Sequence, residues 1–167
     1  LQRGASLQPL PGTREELTRV NRLLDGARRL YLGRAATEEC ALGAARDARV
    51  LHLACHGFTD DRFPLRSGLV LSTPSRSDDK TEDGLLQSQE VLERMRLDAD
   101  LVVLSGCDTG GGRLQGGEGL MGLSRAFLGA GARSLVASQW AISDASTATL
   151  IERFYRGLVR GLDRDVA

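Results

Sequence analysis

Residues 101–112, LVVLSGCDTGGG, decide the fold. Leu101 to Ser105 form a nearly unbroken apolar run that passes through Gly106 to Cys107 and then into a glycine tract. A short continuous apolar run bounded by turn residues is the pattern of a strand buried on both faces, as in the parallel sheets of α/β proteins. The stretch RVLHLACHGF, 49–58, follows the same plan and ends on Cys55, His56 and Gly57. A third copy of the pattern is SLVASQW, 134–140, which ends on Trp140. Helical patterns separate these runs. That alternation implies parallel strands joined by right-handed crossovers, with helices covering both faces of a mostly parallel sheet.

The intervening segments carry their own signals. In PGTREELTRVNRLL, 11–24, Thr13 and Glu16 have the spacing of a capping box, and Leu17, Val20, Leu23, Leu24 and Ala27 recur at helical intervals. Thr37 is expected to cap a second helix through EECALGAARDA. SGLVLS, 67–72, reads as a short strand, expected at a sheet edge because no crossover helix precedes it. Residues 73–84, TPSRSDDKTEDG, hold nothing to bury and read as a solvated, mobile acidic loop open to a nick. Ser88 is expected to cap a helix reaching about Met95, and LMGLSRAFLGAGA, 120–132, reads as another. A last helix opens at SDAST with Leu150, Ile151, Phe154 and Leu158 on its apolar stripe.

With 167 residues, 41% of them apolar and 26% charged, the chain suits one domain with a real core. The 22 basic and 22 acidic residues cancel without forming blocks, so neither nucleic acid nor a membrane surface is expected to bind directly. No apolar stretch approaches the length of a membrane span, and no export signal opens the sequence, which makes the cytoplasm the expected location. Cys40, Cys55 and Cys107 are an odd set without zinc-type spacing, arguing against a disulfide scaffold. The start at Leu1 and the close on GLDRDVA read as a piece of a longer protein.

Ligands of open parallel sheets gather outside the carboxyl ends of the strands, and both CHG and GCD fall there. A thiol beside an imidazole is a nucleophile and base combination: His56 would favour the thiolate of Cys107 and later protonate a leaving amine. The N–H groups of Gly57 and Cys107 could converge on a developing oxyanion. Taken singly, each residue also has an ordinary structural role, since free cysteine is among the most buried residue types and Asp144 sits where a helix N-cap belongs. Asp144 could instead face a basic substrate side chain, and Trp140 could close the core or wall the pocket. A metal site at His52, Cys55 and His56 is disfavoured, because strand alternation sends Cys55 to the opposite face. Cys107 and Arg113 stand at the C-x5-R spacing of cysteine phosphatases, but Gly106 replaces the usual histidine and no helix-starting Ser or Thr follows Arg113. The glycine tract lacks the Gly-Lys-Ser/Thr ending of a nucleotide loop, so no cofactor is expected.

Together, LHLACHGF, SGLVLS, LVVLSGCDTGGG, GGEGLMGLSRAFLGAGARSLVASQW and ISDAST resemble the CHAT domain, a caspase-like and separase-like cysteine peptidase family found behind helical TPR repeats in bacteria. The resemblance extends over nearly the whole chain, from LPGTREEL onward, and implies a caspase-like α/β/α sandwich. It also implies His56 as catalytic base, Cys107 as nucleophile, and the Gly57 and Cys107 amides as oxyanion hole. Asp144 in WAISDAST matches the aspartate that holds a basic residue before the scissile bond in separase-like relatives. The implied activity is endoproteolysis of a protein substrate, regulated by a TPR-like region in bacterial antiphage defence or cell death. The alternative is a catalytically silent binding or regulatory module of the same fold. The pattern departs at Gly106 and Gln139, where the family usually has alanine and an aliphatic residue.

Overall fold

The computed structural model describes residues 7, 9–74, 82–105, 118–138 and 144–167, the side chains of the last span from 146 onward. Its strands are β1 (Val50–Ala54), β2 (Gly57–Phe58), β3 (Gly68–Val70), β4 (Leu85–Gln87), β5 (Leu101–Ser105) and β6 (Leu135–Ala137). The helices are α1 (Pro11–Leu23), α2 (Glu38–Ala45), α3 (Ser88–Arg94), α4 (Glu118–Gly129) and α5 (Asp144–Val159). They fall into two compact units, one within Tyr31–Ala141 and one drawn from Gln8–Leu30 and Ile142–Ala167.

In the first unit the three apolar runs stand side by side as a parallel sheet in the order β1-β5-β6. This is the α/β architecture with a parallel central sheet that the alternation of strands and helices implies. The central strand, β5, is buried at every residue, which is why its sequence shows no polar alternation. In β1, Leu51 and Leu53 are buried while Val50, His52 and Ala54 are half-buried. Leu53, Val102 and Leu104 join a core with Val91 and Met95 and with Leu123, Ala126 and Phe127 of α4.

The amino ends of the three strands are tied by charge. Asp100 accepts from Arg49 Nε and Arg133 Nη1, each at 2.8 Å, and Arg133 also reaches Asp98 at 2.5 Å. Desolvation pushes the Asp100 carboxyl up, but the two arginine hydrogen bonds outweigh it and hold the group below the usual carboxylate range.

Three local expectations need correction. The piece at 68–70 is not at the edge of the parallel sheet: β3 is the middle strand of a separate antiparallel sheet, β2-β3-β4. Lacking a crossover helix, this part of the chain can only return antiparallel, and strands as short as β2 and β4 leave no periodic signal. The first helix begins at Pro11, whose fixed φ suits the first helical position, so Thr13 lies inside the helix and donates to the Leu10 carbonyl at 2.7 Å. Ser88 is the first residue of α3 rather than its cap. Its hydroxyl donates to Ser67 O at 2.9 Å, while the Gln87 N–H donates to Glu90 Oε2 at 2.9 Å in the capping-box manner. Thr37 does cap α2, accepting from Cys40 N at 3.3 Å.

Residues 75–81 of the acidic stretch lie outside the described residues. Its last residues are held by Glu38, which is 1% exposed and accepts from Gly84 N at 2.6 Å and Leu85 N at 3.1 Å. Gly84 turns there at φ +85°, a conformation L side chains rarely adopt. Burial pushes the Glu38 carboxyl above the ordinary glutamate range. The Gly84 and Leu85 N–H bonds pull it down, while the negative Glu90 and Asp83 push it up. The folded chain therefore holds this proton more tightly than the unfolded chain. Its contribution to stability is complete below about pH 4.3, the ordinary glutamate value, and is lost as pH rises through the raised folded value. We expect wild type to lose stability relative to Glu38→Gln as pH goes from 4 to 7, read from urea midpoints. A wild type that gains on the variant over that range would contradict burial as the dominant effect.

The second unit contains α1 and α5. Its buried side chains include Val20 and Glu16 of α1 and Ala148, Ile151, Phe154 and Tyr155 of α5. Phe154 and Tyr155 meet edge to face with centroids 5.6 Å apart. Burial, reinforced by the negative Glu16, pushes the Tyr155 hydroxyl well above its ordinary range. The stripe thus runs through Ala148, Ile151 and Tyr155, whereas Leu150 is 57% exposed and does not belong to it. Among the described residues no helix is long and apolar enough to cross a membrane.

Candidate functional site

The carboxyl ends of the parallel strands are level. Ala54 pairs with Ser105, the Cys55 N–H donates to the Ser105 carbonyl at 3.2 Å, and the Ser138 N–H donates to the Leu104 carbonyl at 3.4 Å. One row therefore crosses the sheet at Ala54, Ser105 and Ser138, since Leu104 pairs with Ala137. His56, Cys107 and Trp140 each stand two residues farther along the chain than a member of that row. Neighbouring strands are about 4.8 Å apart and two residues advance the chain by at most about 7 Å.

Of the sequence-derived site residues, His56 and Gly57 lie among the described residues; Cys107, Arg113, Trp140 and the side chain of Asp144 lie outside them. His56 is half-buried and stands two residues after β1, immediately before β2. Its carbonyl accepts the Val70 N–H at 2.7 Å. In an antiparallel ladder that bond makes Gly57 and Leu69 a non-hydrogen-bonded pair, so the Gly57 N–H is directed away from β3. An amide presented in this way at the outer edge of β2 can stabilise a developing negative charge. Asp144 is the first residue of α5.

The segment after Gly57 is fixed more tightly than its sequence suggests. Asp60 Oδ1 accepts from Arg62 N at 3.0 Å and Phe63 N at 2.9 Å, while Asp60 N donates to the buried Ser67 hydroxyl at 2.9 Å. Asp61 Oδ1 accepts from Gly119 N, in the first turn of α4, at 3.0 Å. Gly119 tolerates no side chain: a Cβ there would lie 2.7 Å from Thr59 Cβ and 2.8 Å from Ser67 Oγ. Sequence inspection passes over Asp60, Asp61, Ser67 and Gly119. The available signals were paired aspartates before Phe63-Pro64, a turn pattern, and a glycine at the mouth of a helix.

His52 lies within β1 opposite Val103, and Cys55 follows the strand end. Among the described residues no group of three or more His, Cys, Asp or Glu side chains could hold a metal ion.

A level strand-end rim on a parallel α/β sheet, with a histidine and glycine step at one tip, defines a caspase-like module. The CHAT domain family model matches residues 1–167, and the chain belongs to that family. Among curated proteins it is 28% identical over 193 residues to human tetratricopeptide repeat protein 28, covering 95% of this chain and 7% of that protein. The mouse protein of the same name is 29% identical over 182 residues, covering 92% of this chain and 7% of its own length. The chain thus corresponds to a small fraction of the relatives it matches.

Proposed function

We propose that this chain is the caspase-like module of a longer protein and engages a protein substrate at the carboxyl rim of its parallel sheet. There His56 acts as general base and Cys107 as nucleophile of a cysteine endopeptidase. The observation that supports this reading is the pairing of Ala54 with Ser105 on adjacent parallel strands, the residues that precede His56 and Cys107 by two in the sequence. Attack of the thiolate on a substrate carbonyl would form a tetrahedral oxyanion facing the Gly57 and Cys107 amides. The imidazolium would then protonate the departing amine, and a water activated by His56 would hydrolyse the thioester. Asp144 as partner for a basic residue before the scissile bond, with Trp140 as a pocket wall, rests on the CHAT resemblance alone. So does a setting in bacterial defence or cell death. That the relatives are tetratricopeptide repeat proteins supports a helical-repeat region as regulatory partner, and a cytoplasmic setting accords with three cysteines that lack a disulfide pattern.

The second reading is a catalytically silent CHAT module that binds or regulates a protein. Membership in the CHAT family and likeness to tetratricopeptide repeat proteins favour it, since both are satisfied by binding without turnover. Fluorogenic peptides with Arg, Lys, Leu or Asp before the bond separate the two, tested with the chain alone and with a helical-repeat region added. Hydrolysis that Cys107→Ala removes supports the peptidase. Substrate-independent silence in both settings, with retained protein binding, supports the regulatory module.

A further inference from the structure

Residues 59–67 join β2 to β3 as a loop tied off at its base, where the Asp60 N–H donates to the Ser67 hydroxyl at 2.9 Å. Pro64–Arg66 make one turn of 3-10 helix in it, closed by the Arg66 N–H on the Phe63 carbonyl at 2.8 Å. This turn sits directly on α4: a Cβ on Gly122 would meet Pro64 Cβ at 2.7 Å and the Pro64 carbonyl oxygen at 2.9 Å. Glycine there lets the two backbones close up. On this fixed base Phe63 is 49% exposed, Leu65 50% and Met121 46%. Single exposed apolar residues are ordinary, but these three are direct chain neighbours of one backbone contact, Pro64 on Gly122, and make a patch.

The charges beside the patch are uncompensated. Arg66 and Arg62 stand over the Phe63 ring with guanidinium carbons 4.6 and 5.6 Å from its centroid. Neither forms an ion pair among the described residues, whereas Arg19, Arg49, Arg94, Arg133 and Arg156 all do. The neighbouring carboxylates, Asp60 and Asp61, are taken up by the backbone N–H groups of Arg62, Phe63 and Gly119. Stacking on a ring orients a guanidinium and leaves its N–H edge available to a carboxylate. Aromatic residues and arginine are also the side chains that carry most of the binding energy at protein interfaces.

We propose that the turn at 62–66, together with Met121, is a docking site for an acidic peptide segment of a partner protein, one in which carboxylates flank an aromatic or aliphatic side chain. The apolar side chain covers Phe63 and Leu65, and the carboxylates pair with Arg62 and Arg66. Nucleic acid is the poorer fit, because the 22 basic and 22 acidic residues of the chain cancel and two cations make no extended field. The rigid base favours docking, since a preorganised surface loses little freedom when it is covered. Docking here requires no catalysis by His56 or Cys107, so it is compatible with either function proposed above.

The test selects a random dodecapeptide library, displayed on phage, on the 167-residue chain. Peptides with Asp or Glu on either side of an aromatic or aliphatic residue should be enriched. Synthesised with a fluorescent label and titrated by anisotropy, they should bind the Arg62→Ala/Arg66→Ala double variant and Phe63→Ala at least about tenfold more weakly than wild type, the loss expected of hot-spot side chains. Arg164→Ala, which removes an exposed arginine of the other unit, should stay within about twofold of wild type, as a screened surface charge does. The substituted residues are all exposed, so each variant should keep its Tm within about 2 °C of wild type. No enrichment, enriched peptides without acidic residues, or peptides that bind the variants as tightly as wild type would each overturn the docking site. Tighter binding of a labelled single-stranded RNA, weakened by the same substitutions, would overturn it in favour of nucleic acid.

Discussion

Peptide hydrolysis by the activated protein is expected to fall by about 10²–10⁴-fold in His56→Ala, the range a positioned general base contributes. In Cys107→Ala it should fall to background, because without sulfur there is no covalent route at all. The two substitutions differ usefully in pH response. A thiol left without its imidazole ionises near its ordinary value, so residual activity of His56→Ala should climb as pH is raised toward about 8.5, whereas Cys107→Ala should stay flat. Combining both changes should cost little more than Cys107→Ala alone, since groups acting as one unit are strongly non-additive. Initial rates from pH 6 to 9 give all three comparisons. Losses that simply multiply would mean that the two residues act independently.

The second large effect is on stability. Leu104→Ala should destabilise the chain by about 2–5 kcal/mol, the cost of a cavity at a site that cannot collapse. Leu104 is buried in the middle strand of the parallel sheet, with Leu53 and Ala137 beside it. Backbone neighbours on both sides keep the hole from closing. In a chain of this size a loss of about 3 kcal/mol lowers Tm by about 6–12 °C. Leu150→Ala, at an exposed position of α5, should stay within about 0.5 kcal/mol of wild type. Thermal unfolding of the pair distinguishes the apolar residues that form the core from those that only look as if they should. Equal shifts for Leu104 and Leu150 would contradict the burial pattern.

The contrast between those leucines shows what the sequence makes legible. An apolar run at the centre of a parallel sheet has neighbours on every side, so LVVLS can be assigned from composition alone. The same logic gives strands at 49–54 and 101–105, and the pairing of Val50–Ala54 with Leu101–Ser105 in the structure is what makes them parallel neighbours. A single leucine in an amphipathic helix carries less information. Leu150 and Ile151 are adjacent in sequence, and only the position of Tyr155 one turn later shows that Ile151 faces inward. Pro11 outweighed the Thr13–Glu16 spacing because a ring that presets φ starts a helix regardless of the caps that follow.

Long-range side-chain bonds were the least legible features. Asp61 meets Gly119 across 58 residues, and Glu38 meets Gly84 across 46. Neither pairing has a local periodic signature. Each depends on a turn bringing an orphan backbone N–H to a carboxylate, which follows from the assembled topology rather than from any window of sequence. His56 and Gly57 were singled out because the sequence puts them just past a strand end, the place where ligands of this fold class gather; the edge orientation of the Gly57 amide became visible only from the ladder.

Disulfide trapping at the rim tests the shared site most directly. In a Cys40→Ser, Cys55→Ala background, His56→Cys supplies a second thiol beside the native Cys107 as the pair to be trapped, and mild oxidation can join the two only if their Cα atoms approach to about 4.4–6.8 Å. Rapid formation of an intramolecular bridge between positions 56 and 107, seen by peptide mapping, is the predicted result. Two thiols that stay fully alkylatable after oxidation, in a chain that remains folded, would contradict it.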